Sequence, residues 1–211
     1  MAYIASAFTA GQTLTAASME DLRGNANAGH SVFTNEAARD AAITAPTEGM
    51  MAYLTAPTVP AATGATTAVP SGVVTIYNGS VWVCTTPVGA SSGAASTTTS
   101  TSYVTTLTSD ATALSVTLVT GTTALISYGA LCSINTSGTN ISSIQVSGAT
   151  TIAATDGLGL WNQTNSTTLS VQYHFVYTGL TAGSNTFTMA HRTTAGTSSY
   201  LRRHLTVQGI A

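Results

Sequence analysis

From Tyr103 to the end of the chain, large apolar residues recur at every second position, a period that fits strands and not amphipathic helices. Leu114, Val116 and Leu118 alternate with Ser115 and Thr117. Ala124, Ile126, Tyr128, Ala130, Cys132 and Ile134 mark one face of a long strand, and Leu169, Val171, Tyr173, Phe175 and Tyr177 mark another. Phe187, Met189 and His191 continue the period, as do Leu201, Arg203, Leu205 and Val207. Turns fall between these runs at Thr120-Gly121, Gly138-Thr139-Asn140, Asp156-Gly157, Gly179 and Ala182-Gly183-Ser184. Strands at this spacing predict an antiparallel β-sandwich of jelly-roll type over residues 103–211.

Three segments precede that head. Residues 1–31 hold one short amphipathic helix, from Ala16 to about Arg23, too short to stand alone. It is expected to dock on another protein through Phe8, Leu14, Met19 and Leu22. Residues 32–84 read as an α+β module. Thr34 caps a helix from Asn35 to about Ile43, and Pro46 ends it. Met50–Leu54 is a strand. Residues 55–72 are a neutral spacer, and Val73–Tyr77 and Ser80–Cys84 form a hairpin turning at Asn78-Gly79, a pair suited to a type I′ turn. Residues 85–102, TTPVGASSGAASTTTSTS, nearly lack large apolar side chains and are expected to be a linker.

Charge narrows the function. Charged residues make up 6% of the chain against roughly 25% in an ordinary soluble domain, and lysine is absent. Lysine commonly guards exposed sheet edges. A β-rich chain without it is expected to cover its edges with partners or further copies. No basic patch exists for nucleic acid, and no apolar run of about 18 residues exists to span a membrane. No secretory signal pattern is evident, so Cys84 and Cys132 are expected to be buried reduced thiols.

Residues for catalysis are scarce. Between Tyr103 and the end there are two carboxylates, Asp110 and Asp156, and Asp156-Gly157 resembles a turn in which Asp bonds its own backbone. No histidine pair has metal-ligand spacing, no G-x-S-x-G elbow occurs, and no enzyme, cofactor or metal is expected. His174 and His204 fall opposite the apolar face. His191 shares a face with Phe187 and Met189 and is either a core or a subunit-contact residue. Arg203 runs in phase with Leu201 and Leu205, so it points inward or to a subunit contact; an inter-subunit ion pair with Asp110 or Asp156 competes with a solvated arginine. Trp161, between Gly159 and Asn162, is the aromatic most suited to contact a receptor glycan.

Three pieces resemble bacteriophage proteins. FTAGQTLTAASMEDLRGNANA resembles the start of many phage structural proteins. VFTNEAARDAAITAPTEGMMAYL with IYNGSVWV is similar to a small module of phage tail and fibre proteins, filled here by Arg39, Asp40, Pro46, Gly49, Tyr77, Asn78, Gly79 and Trp82 as packing residues. YTGLTAGSNTFTMAHRTT and LRRHLTVQGI resemble the C-terminal β-domains of tailed-phage virion proteins. The resemblance implies a homotrimeric fibre, spike or decoration protein on the virion, assembled in the host cytoplasm. Its partners would be other virion proteins of tail, neck or capsid, and a host surface glycan for adsorption.

Overall fold

A computed structural model describes residues 31–135, 138–163 and 168–211. The expected docking residues Phe8, Leu14, Met19 and Leu22 lie outside the described residues.

The chain begins with β1 (Ser31–Phe33), α1 (Glu36–Ala42), β2 (Met51–Leu54), β3 (Ala61–Thr63), β4 (Thr66–Ala68), β5 (Val73–Tyr77) and β6 (Trp82–Cys84). The cap of α1 is Asn35 rather than Thr34: its side-chain oxygen accepts from the Ala38 N–H at 3.0 Å. Strands β1, β2, β5 and β6 form a small sheet in that order, with β1 parallel to β2. Arg39 turns from α1 onto this sheet and is buried. Its guanidinium lies 4.6 Å from the Trp82 ring centroid, and its Nε donates to Asp40 Oδ1 at 2.8 Å. Tyr77 closes the same cluster, 5.5 Å from Trp82. Pro46 is half-buried beyond the helix, and Gly49, at φ +86°, donates to the Tyr77 carbonyl at 2.8 Å.

The hairpin differs from the sequence expectation by one position. The Asn78 N–H donates to the Val81 carbonyl, which places Gly79 and Ser80 at the centre of the turn. Only Gly79 has positive φ, +87°, as a type II′ turn requires, so the turn is not type I′. Asn78 instead accepts from the Ser80 and Val81 N–H groups with its side chain.

The sandwich follows: β7 (Val88–Ser92), β8 (Ser96–Thr98), β9 (Ser115–Thr120), β10 (Thr123–Ile134), β11 (Asn140–Gly148), β12 (Leu160–Asn162), β13 (Leu169–Thr178), β14 (Gly183–Thr193) and β15 (Ser198–Ile210). One sheet runs β13-β10-β15-β7-β4, with β8 also on β15; the other runs β12-β11-β14-β9-β3. Every pairing in these two sheets is antiparallel. Strands β7 and β9 to β15 take the order of an eight-stranded jelly roll. The fold is therefore mainly β, as the alternation predicts.

The stretches read as spacer and linker are not free chain. They supply β3 and β4 from residues 55–72, and β7 and β8 from residues 85–102. Thr, Ser, Ala and Gly carry little strand signal, and here pairing with β9 and β15 decides the conformation. The two modules also share one core, which joins Leu54, Val73 and Trp82 to Leu118, Phe187 and Val207. Gly209 permits this junction: a side chain there would meet the Cys84 carbonyl at 2.6 Å and Val83 Cγ1 at 2.7 Å.

In β15 the alternation changes phase. Arg202 takes φ 51°, and the register against β10 shifts between Gly129 and Leu131. Tyr200, Arg203, Leu205 and Val207 are buried, while Leu201 is only half-buried.

Candidate functional site

His191 and Arg203 are wholly buried within one chain, so neither is the subunit contact that the sequence allowed. Arg203 pairs through Nη2 with Asp110 Oδ2, an ion pair inside the chain rather than between subunits. Ser92 Oγ donates to the same oxygen at 2.6 Å. His191 Nδ1 is 3.0 Å from Ser142 Oγ, and its ring lies 4.4 Å from that of Tyr200. Burial pushes its pKa down to about 3, with the Arg203 charge adding to the effect. The unfolded chain then binds a proton that the folded chain does not. Stability is full above the ordinary histidine value of about 6.5 and falls as pH drops from there toward the folded value, by up to about 1.4 kcal/mol per unit. Urea unfolding between pH 7 and pH 5 is expected to show this slope, and His191→Gln is expected to flatten it.

Cys84 and Cys132 are free and buried, and burial raises the pKa of both thiols. No group of His, Cys, Asp or Glu that could hold a metal occurs among the described residues. No described helix is long and apolar enough to cross a membrane.

Two surfaces stand out. The first is the open flank along β13. This ten-residue edge strand presents Leu169, Tyr173 (40% exposed) and Val176 (54%), and Leu125 on β10 lies beside Val176. Tyr173 stacks on Phe175 at 5.0 Å and 27°, and Phe175 meets Tyr177 edge-on at 6.3 Å. The aromatic row that marks one face of β13 is thus half-bared.

The second is a cluster around Asp156. A turn of 3₁₀ helix, Asp156–Leu158, follows β11 and carries the carboxylate outward. Tyr128 fixes this turn from inside the core, its hydroxyl donating to the Leu158 carbonyl. Asp156 does not bond its own backbone as a turn residue would. It accepts from Arg192 Nε on β14 at 3.0 Å and from Arg192 Nη2 at 2.5 Å. The Tyr103 hydroxyl donates to Oδ1 at 2.8 Å, and Arg192 lies 5.5 Å from the Tyr103 ring centroid. Trp161 on β12 donates from Nε1 to the Asp156 carbonyl at 3.3 Å and stays 47% exposed. The bonds from Arg192 and Tyr103 hold the Asp156 carboxyl below the ordinary carboxylate range. Burial, with the bond to Asp156, pushes the Tyr103 hydroxyl up to about 12. The sequence singles out Trp161 of this group. Tyr103 and Arg192 arrive from distant segments, and no local signal marks them.

No family model matches the chain, and no curated protein matches it. Among solved structures, the chain is similar to Eiger TNF from S. frugiperda, at a TM-score of 0.38 and 12% identity over 56% of this chain and 85% of that one. It is also similar to a Clostridium thermocellum endo-1,4-beta-D-xylanase comprising CBM22-1 and GH10 modules and complexed with xylohexaose, at a TM-score of 0.31 and 9% identity over 56% of this chain and 26% of that one. At these scores nothing about ligand or partner passes to this chain.

Proposed function

We propose that this chain is a structural component of a bacteriophage virion: a homotrimeric fibre, spike or decoration protein that binds and assembles rather than catalyses. In this reading the segment before Ser31 anchors it to tail, neck or head, the small sheet carries the chain onward, and the sandwich faces out. The observation that supports it best is the bared flank of β13. Leu169 and Tyr173 on one face of the strand, and Val176 with Leu125 on the other, leave apolar surface along an edge strand in a chain without lysine. Further copies of the chain are the occupants this flank fits, because β13 carries no Asp, Glu, Lys or Arg and closed symmetry leaves no edge open.

The test is the mass of the full chain in solution together with its place in a reconstruction of the whole particle. A trimer seated on the particle is the expected result. Val176→Asp, which puts a charge on the exposed outer side of β13, is expected to yield a folded monomer. A wild-type monomer that is absent from particles would overturn the reading.

A further inference from the structure

The Asp156 cluster carries no net charge that a ligand could neutralise. Arg192 pairs with both carboxylate oxygens through its Nε and Nη2, so a metal cation finds the acid already paired and a phosphate finds no spare cation. Two things stay available to a ligand. One is the Trp161 indole, whose Nε1 is held by the Asp156 carbonyl while nearly half of the residue is open to solvent. The other is hydrogen-bonding capacity beside it. The Asp156 side chain is 43% exposed, and among the described residues its Oδ2 receives only the bond from Arg192 Nη2.

A flat aromatic face next to a neutral donor–acceptor pair matches a molecule with an apolar face and a rim of hydroxyls. We propose that Trp161, Asp156, Arg192 and Tyr103 form a binding site for a neutral pyranose, one unit of a surface polysaccharide. The axial C–H bonds of the sugar lie on the Trp161 ring. Its hydroxyls donate to Asp156 Oδ2 and accept from the Arg192 guanidinium. Tyr103 orients both charged groups through its bond to Oδ1 and its ring under Arg192. The platform is open, so affinity per site is low, and each polymer molecule offers the site many copies of the unit. The site lies within one chain, so this inference stands or falls separately from the virion reading.

The chain has two tryptophans, and Trp82 is buried under Arg39, so a ligand-dependent change in tryptophan emission reports on Trp161. The full chain is titrated with the methyl glycosides of glucose, galactose and mannose, then with dextran, galactan and mannan, and with glucuronate and inorganic phosphate as charged controls. The expected result is a saturable response to at least one neutral glycan, stronger for polymer than for glycoside. Trp161→Ala, read by intrinsic tyrosine emission or calorimetry, is expected to weaken that binding by about tenfold or more with an unchanged melting curve. Asp156→Asn keeps the shape of the group, removes the charge pairing and is expected to weaken it severalfold. No saturable response to any of the six neutral probes overturns the proposal. So does a response that Trp161→Ala leaves intact, or tighter binding of glucuronate or phosphate than of the neutral probes.

Discussion

Replacing Asp110 with alanine is expected to destabilise the chain by about 3–5 kcal/mol, because it strands the Arg203 guanidinium, a fully buried charge, without its counter-ion. Among the described residues Nε and Nη1 of Arg203 already lack partners, so nothing nearby can take over from the carboxylate. The loss should appear in urea unfolding as a lower midpoint at unchanged slope. Replacing both members at once, Asp110→Leu with Arg203→Met, is expected to recover most of it, since an apolar pair leaves no charge to desolvate. The sign with pH also follows. The Asp110 carboxyl is held below its ordinary range, first by the Ser92 hydrogen bond and then by Arg203. Its contribution is therefore full above the ordinary carboxylate value and is lost as pH falls through the lower folded value. A loss of under about 1 kcal/mol in the alanine variant would show that Arg203 finds water when Asp110 is gone.

Tyr128→Ala is the second large effect, also about 3–5 kcal/mol, the range for emptying an aromatic-sized site in a closed core. Tyr128 is fully buried, with Tyr173 and Phe175 edge-on to its ring at 6.1 and 6.4 Å. Its hydroxyl also holds the turn that carries Asp156, through the Leu158 carbonyl. Tyr128→Phe separates the two roles. It keeps the packing, removes the hydroxyl and is expected to cost about 1–2 kcal/mol. If Tyr128 positions the turn, this variant also loosens the Arg192–Asp156 pair. That loosening can be read from the Arg192 Nε proton resonance, which a purely packing role leaves unmoved.

Much of the sandwich is legible in the sequence, for a physical reason. Strands β9, β10 and β14 each bury one face under large aliphatic or aromatic side chains, so the pleat writes itself as alternation: Val116 and Leu118, Ile126 and Tyr128, Phe187 and Met189. Strands β3, β4, β7 and β8 carry no such mark. Their Thr, Ser, Ala and Gly residues lie against partners that arrive from later in the chain, and the pairing is tertiary. The Arg202 bulge is equally silent, since nothing local announces that Tyr200 and not Leu201 turns inward. Asp110 and Arg203 both stand out as rare charges, yet their pairing spans 93 residues and only the folded sheets bring them together. At the Asp156 cluster, Trp161 is visible in the sequence as an aromatic among small polar residues. In the sequence Asp156 reads as an ordinary turn acid because its partners, Tyr103 and Arg192, lie 53 and 36 residues away.

The contact at Gly209 has a mechanical consequence. With no side chain between them, the end of β15 and the Val83–Cys84 stretch of β6 form a seam rather than a tether. A pull on the chain at Ser31 therefore reaches the sandwich through packed side chains as well as along the backbone. A bulkier residue at 209 would push β15 and β6 apart at that seam.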